Sequence, residues 1–330
     1  MDGSRAVRVH LESVHRSYRV RRAPETGGRL ARLLRRVSGE VEALRGVDLR
    51  VDEGEAVGYI GLNGAGKSTT MKLVAGILTP TSGRVTVDGR DPHKERRRLS
   101  AELGYLAAQR ASLWWDLPVK DSYELLRRVY DIEPALFRRR HDRLVDRLGI
   151  GRHLGTPVRE LSLGNRTRAE LVGTLLHAPR LLLLDEPTIG LDIFAREAIC
   201  DVLRDLRQDT APTLLMASHD LRDVEAICDR IVTIDGGRLV YDGKIDELRA
   251  LGGGRRTLVI HHAPGHRLPP LPGPARSGER TSTVTTYVFA QGELPGGLLT
   301  ELFADPQVDD VQIEAPSLET VIKGLYLEGA

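Results

Sequence analysis

Residues 61–69 read GLNGAGKST, which fits the pattern glycine, any four residues, then Gly-Lys-Ser. Few segments constrain a fold so tightly. The backbone N–H groups of such a glycine-rich loop wrap a phosphate chain, and the helix that follows presents its positive end to the same phosphate. A strand must therefore enter the loop and a helix must leave it. The flanks agree: AVGYIG before the loop reads as a buried strand, and the helical pattern after it runs to about Ile77. Within the loop, Lys67 is placed to reach the β- and γ-phosphates and Ser68 to offer a hydroxyl to Mg²⁺. Gly61, Asn63, Gly64, Ala65, Gly66 and Thr69 complete the cradle.

Other segments alternate between strand and helix. VEALRGVDLRV before a DEGE turn and RVTVDGR after TPTSG read as strands. Residues of about 110–177 are mostly helical and form an inserted lobe. Beyond them LLLL (181–184), a helix from Ile193 to about Leu206, TLLMAS (213–218), a helix from Leu221 to Cys228 and RIVTID (230–235) follow in turn. This order predicts a largely parallel sheet covered on both faces. The four leucines of 181–184 end in Asp185 and Glu186. A carboxylate at the end of a strand beside a phosphate loop can hold Mg²⁺, and the next one can polarise an attacking water. Composition shifts at Gly252-Gly253-Gly254, and a stretch rich in Pro, Gly and His runs to Gly278. The expected domains are therefore 1–250 and a small α+β domain at 255–330, with TSTVTTYVFA and VDDVQIE as strands and LLTELFAD and LETVIKGLYLE as helices.

Composition excludes several classes. Lys plus Arg number 48 and Asp plus Glu 46, so no net basic excess argues for nucleic acid. Six of the 48 are lysines, an arginine bias that codon usage alone can produce. The two cysteines, Cys200 and Cys228, make no disulfide framework and no zinc pattern, which fits a reducing compartment. No apolar run approaches the roughly 18 residues of a membrane-spanning helix, and the first residues lack the apolar core of a secretory signal.

Six motifs in order carry a resemblance. They are the phosphate loop at 61–69, Gln109 in LGYLAAQR, LSLGN at 161–165, the strand ending in Asp185-Glu186, IGLD at 189–192, and His219 in ASHD. Over roughly residues 7–250 the chain resembles the nucleotide-binding subunit of an ABC transporter. The resemblance implies an α/β P-loop NTPase core with an inserted α-helical subdomain, joined here to the small C-terminal α+β domain. It implies ATP and Mg²⁺ as cofactors, with Ser68, Asp185 and Gln109 around the metal. Glu186 would be the general base, His219 would contact the γ-phosphate, and Gln109 would link the metal to a membrane partner. Ser162 and Gly164 would cover the nucleotide of a second subunit, and Asp192 would cross the same interface. The aromatic that stacks on adenine in this family lies upstream, and Tyr18 is the candidate. Implied partners are separate membrane permease chains and a second nucleotide-binding subunit, at the cytoplasmic face of the membrane, with no nucleic acid.

Three features depart from or add to the pattern. Leu163 and Asn165 stand where the family most often has Gly and Gln. Residues 16–36 hold eight arginines and one acid, Glu25, with Leu30, Leu33, Leu34 and Val37 at i, i+3, i+4 and i+7. This predicts a basic amphipathic helix in an insertion at about 19–40, set either against anionic headgroups and the permease or against its own domain. Finally, Trp114-Trp115 follows the Gln109 segment, and an exposed aromatic there can anchor a partner. The segment QRASLWWDLPVKDSYELL, LLLLDEPTIGLD and the tail SLETVIKGLYLEG resemble a bacterial subgroup of exporter ATPases that work on drugs or other amphiphiles. Export of lipid-linked polysaccharide, import, and a soluble or regulatory ATPase uncoupled from transport are the alternatives.

Overall fold

The computed structural model describes residues 6–22, 37–107, 112–251, 256–266, 268, 276–289, 297–314, 318–319 and 321–322. The chain divides into two units, residues 1–242 and 243–330.

The first unit opens with β1 (Val7–Arg22) and β2 (Val37–Asp52), an antiparallel pair that runs from Val7 opposite Asp52 to Arg22 opposite Val37, with register shifts between Val7 and Ser17. Then come β3 (Ala56–Gly61), α1 (Lys67–Val74), β4 (Ser82–Val87), α2 (Arg96–Leu99) and β5 (Leu103–Ala107). The helical lobe holds α3 (Val119–Val129), α4 (Pro134–Arg147) and α5 (Leu163–Leu175). The unit closes with β6 (Leu181–Asp185), α6 (Ile193–Asp209), β7 (Thr213–Ser218), α7 (Leu221–Ile227), β8 (Arg230–Asp235) and β9 (Arg238–Lys244).

Two sheets result. The larger has the order β5-β6-β7-β3-β8-β9, and its pairs β5–β6, β6–β7, β7–β3 and β3–β8 are parallel. Its central strands are apolar on both faces. Every residue of β3, β6 and β7 is buried, as a sheet covered on both sides demands. The smaller sheet, β2-β1-β4, is antiparallel, and alternation alone did not reveal it as separate. Val9, Leu11, Val14, Leu44, Val47, Leu49 and Val85 from this sheet share one apolar core with Met71, Leu73 and Val74 of α1 and with Leu183 and Leu215 of the larger one. The helix that follows the phosphate loop is thus packed against both sheets.

The N-terminal insertion needs correction. Residues 19–22 and 37–40 extend the β1–β2 ladder, so Val37 belongs to a strand and not to the apolar face of a helix. The remainder, 23–36, lies outside the described residues. The second unit carries α8 (Ile245–Leu251), β10 (Arg256–His262), β11 (Arg276–Arg280), β12 (Val284–Phe289), α9 (Leu298–Ala304) and β13 (Val308–Glu314). Its four strands form an antiparallel sheet in the order β11-β12-β10-β13. Leu258, Ile260 and Phe289 of the sheet pack on Leu298 and Leu302 of α9.

Candidate nucleotide site

The loop conformation follows from its glycines. Gly64 has φ +85° and open space where a side chain would stand. Gly66 has φ +115°, and a Cβ there would lie 2.7 Å from the Ala43 carbonyl oxygen. Both values lie in the region that glycine alone adopts without cost. Gly66 is also the residue that precedes α1, and it supplies no side-chain cap. The first amides of a helix have no partner within it. With no side chain at Gly66 to cap them, they are left for an anion.

Lys67 is almost fully buried. Its Nζ donates to the Gly61 carbonyl at 2.6 Å and to that of Leu62 at 3.4 Å, and lies 3.6 Å from Glu186 Oε1. Ser68 Oγ donates to Asp185 Oδ1 at 3.0 Å. Asp185 ends β6 beneath the loop, and burial pushes its carboxyl above the usual range, against the Ser68 hydrogen bond. These groups line a cleft of 620 Å³ together with Asn63, Gly64, Gly66, Thr69 and Glu186. The size suits a nucleotide-sized ligand. The donor chemistry fits both cofactors. A buried ammonium, an uncapped helix start and a cradle that a Cβ would fill suit a polyphosphate. A hydroxyl and a carboxylate joined by one hydrogen bond are the hard oxygen ligands that Mg²⁺ takes beside phosphate.

Glu186 is held under backbone strain. It has φ +55°, unusual for a residue with a side chain, while its amide donates to Ala217 at 2.9 Å. The turn swings its carboxylate into the cleft, where Oε2 lies 2.6 Å from Nδ1 of His219. β6 and β7 are neighbours in the sheet, so residues 186 and 219, which directly follow them, meet although they are far apart in sequence. Strand order, not sequence proximity, assembles the pair.

The other candidates sit elsewhere. Tyr18 lies on β1, its hydroxyl 3.4 Å from Thr69 Oγ1, with the Arg16 guanidinium 4.9 Å from the ring centroid. Ser162 caps α5 by accepting from the Asn165 amide at 3.3 Å, and Asp192 caps α6 by accepting from the Ala195 amide at 2.9 Å. These two segments touch: a Cβ on Gly164 would lie 3.6 Å from Asp192 Oδ2, and one on Gly190 would lie 3.1 Å from Leu163 Cδ2. Ser162, Gly164 and Asp192 do not line the cleft around Lys67. Ala65 is buried behind the loop and does not line it either. Gln109 lies outside the described residues. Trp114 and Trp115 are both about half exposed, and Arg166 stands over the Trp115 ring at 5.3 Å.

Several residues of the site escaped sequence reasoning. Lys72 and Tyr105 line the cleft, and the Tyr105 hydroxyl reaches Asp185 Oδ2 at 3.4 Å. Lys72 stands four residues after Ser68 on the same helix face, a spacing that could have found it. Asp223, on α7, is buried and accepts from Thr188 Oγ1 at 2.5 Å and from Arg196 Nε at 2.6 Å, while Arg196 also pairs with Asp220 at 2.6 Å. This knot ties the segment after Glu186 to the segment after His219. Glu170 of α5 is buried too and accepts from the Ser112 hydroxyl, from the Ser112 amide at 2.8 Å and from the Leu113 amide at 3.2 Å. It anchors the helix that begins at Leu163 to the chain just before the tryptophan pair. No local pattern marks either carboxylate, because their partners come from distant parts of the chain.

Comparison with known proteins gives the same picture. The family model described as ABC transporter matches residues 44–189. The daunorubicin resistance ATP-binding protein DrrA3 of Streptomyces coeruleorubidus is 32% identical over 88% of this chain and 92% of its own length. The methionine import ATP-binding protein MetN of Streptomyces griseus is 32% identical over 86% of this chain and 78% of its own. Among solved structures, an ATP-binding subunit of an ABC transporter superposes with a TM-score of 0.61 at 25% identity, over 74% of this chain and 92% of that one. With a phosphate loop, two adjoining carboxylates and a histidine assembled by strand order, and with a relative matched across nearly its whole length, this chain belongs to the ATP-binding subunits of ABC transporters.

Proposed function

We propose that this ATPase subunit powers the export of an amphiphilic, drug-like or lipid molecule through a separate permease at the cytoplasmic face of the membrane. The convergence of Lys67, Ser68, Asp185 and Glu186 on one cleft carries the ATPase part of this reading. Lys67 and the loop amides bind the phosphates, and Tyr18 stacks on the base. Ser68 and Asp185, with Gln109, would hold Mg²⁺, which when bound would neutralise charge on the phosphate oxygens. Glu186 orients and polarises the attacking water. His219, in contact with Glu186, fixes that carboxylate and faces the γ-phosphate. Charge develops on the phosphoryl oxygens, so positioning and electrostatics do most of the work.

A second nucleotide-binding subunit completes the site. Ser162, Gly164 and Asp192 stand away from their own cleft, next to one another, so they serve the nucleotide of a partner copy or close relative. Residues 1–250 would be the nucleotide-binding domain and 255–330 an accessory domain. No helix among the described residues is long and apolar enough to cross a membrane. The exposed Trp114–Trp115 surface, anchored through Glu170 to α5, is where such a permease would dock.

Export rests on similarity to a daunorubicin resistance protein that extends over 296 residues. Import is the second reading, favoured by the comparable match to a methionine import protein. The test is affinity purification from detergent-solubilised membranes, followed by reconstitution with the co-purifying permease and a direction-resolved transport assay. ATP-driven movement of amphiphilic dyes away from the nucleotide side supports export. Movement toward it establishes import. Recovery with ribosomes or DNA and no permease refutes both.

A further inference from the structure

Away from the nucleotide cleft, a second cavity of about 420 Å³ opens between α4 and the C-terminal half of α6. It lies at the opposite end of the parallel strands, because Arg180 and Thr213, at the starts of β6 and β7, line it, whereas Asp185 and Glu186 close the other end. Its floor is apolar, built from Leu144, Leu175, Val202, Leu206 and Pro212. Its rim is cationic: five arginines and three acids line it. Arg143 and Arg147 of α4 are paired with Asp209 and Asp205 of α6, and Arg180 with Glu53.

Two guanidiniums differ from these pairs. Arg140 makes one bond, from Nη1 to the Leu176 carbonyl at 3.1 Å, and has no acidic partner among the described residues. Arg8 is 4% exposed, and although its terminal nitrogens bind Asp88 and Glu53, its Nε is buried with no hydrogen-bond partner. That Nε has no surface open to a ligand, so Arg140 is the guanidinium on this rim that an anion can reach. An apolar chamber of ligand size with a few convergent polar groups is the usual form of a small-molecule site.

We infer that this cavity binds a small, freely diffusing single-chain anionic amphiphile, its tail on the Leu144–Leu206 floor and its carboxylate or sulfate on Arg140. The occupant would sit between a helix of the lobe and a helix of the core, at a site distinct from that of ATP. Its chemistry does not depend on which molecule the transporter moves, so it stands whether or not the export reading does.

The test uses the full chain and isothermal titration calorimetry with decanoate below its micellar concentration, alongside decanol and decyltrimethylammonium. Arg140→Gln removes the charge, and Leu206→Trp fills the floor. Neither residue touches the nucleotide cleft, so unchanged ATP binding and an unchanged melting curve verify that each variant is folded. The expected result is one decanoate per chain, with decanol and the cation at least tenfold weaker. Affinity should fall about fivefold or more in Arg140→Gln and be lost in Leu206→Trp. Absence of saturable binding, equal binding of all three probes, or binding that neither variant changes overturns the inference. So does Arg140-dependent sedimentation with phosphatidylglycerol vesicles in the absence of decanoate binding, which would make the rim a membrane contact.

Discussion

Replacing Asp223 with Asn asks whether the active-site carboxylate is positioned or merely present. Asp223 is 2% exposed, and its two oxygens accept from Thr188 and Arg196, the first just after Glu186 and the second on α6. The amide is isosteric but uncharged, and it turns one acceptor into a donor facing another donor. Breaking a buried ion pair from one side costs about 3–5 kcal/mol. Arg196 keeps its 2.6 Å contact with Asp220, so we expect a cost somewhat below that range, about 2–3 kcal/mol. For a unit of this size the melting temperature should then fall by about 5–10 °C. Because the knot links the segments bearing Glu186 and His219, their 2.6 Å contact should loosen as well. A misplacement on the order of 1 Å at a reacting group costs up to about a hundredfold in rate. Steady-state ATPase assays well below the new melting temperature should therefore show kcat at least about tenfold down, with nucleotide affinity within about twofold. Thr188→Val, which removes one bond and no charge, should lower kcat with only about 1 kcal/mol of lost stability. If Asp223→Asn loses stability as expected but keeps its wild-type kcat, the knot holds the fold together and does not position the chemistry. If stability is unchanged, the desolvation argument itself fails.

Further outcomes follow from the same geometry. Lys67→Ala should abolish measurable ATP binding in equilibrium dialysis, because the one buried cation of the loop is lost. Glu186→Gln should bind ATP and accumulate as a dimer in size-exclusion chromatography while hydrolysis drops by about 10²–10⁴; hydrolysis at the wild-type rate would refute the general-base assignment. Tyr18→Ala should weaken ATP binding by about 1–3 kcal/mol, the range for loss of a base-stacking aromatic, with kcat at saturation little changed. His177 should make stability pH-dependent: burial, with Arg140 nearby, pulls its pKa from 6.5 to about 4, while it stacks on Tyr130 at 4.0 Å and bonds the Leu103 carbonyl at 3.2 Å. The folded state then binds fewer protons than the unfolded state between those values. Stability should rise with pH across that window, and acidification through it should cost about 2–3 kcal/mol. Denaturant titrations of His177→Gln should show a flatter profile over the same range.

The site was legible where its chemistry is written locally. The phosphate loop needs glycines at positions 64 and 66 because the backbone turns there through conformations closed to other residues, and those glycines stand in the sequence beside the lysine they serve. The strand of four leucines announced a position buried on both faces, and so placed Asp185 and Glu186 at its end. The N-terminal hairpin was not legible in this way. Residues 19–22 and 37–40 look like the flanks of a basic helix, yet their ladder continues β1 and β2, because the two stretches pair with each other across the strands, a contact that spacing within one segment does not record.

By itself, then, the sequence determined the identity of the phosphate-binding loop, the two carboxylates and the alternation that builds a parallel sheet, all of them properties of short segments. Tertiary structure alone decided that Glu186 meets His219, that Asp223 and Glu170 tie remote segments together, and that an arginine-rimmed chamber opens at the far end of the same strands. The physical reason is the order of the strands. Placing β6 beside β7 joins residues more than thirty apart in the chain, and no local pattern of charge or hydropathy records which strands will be neighbours.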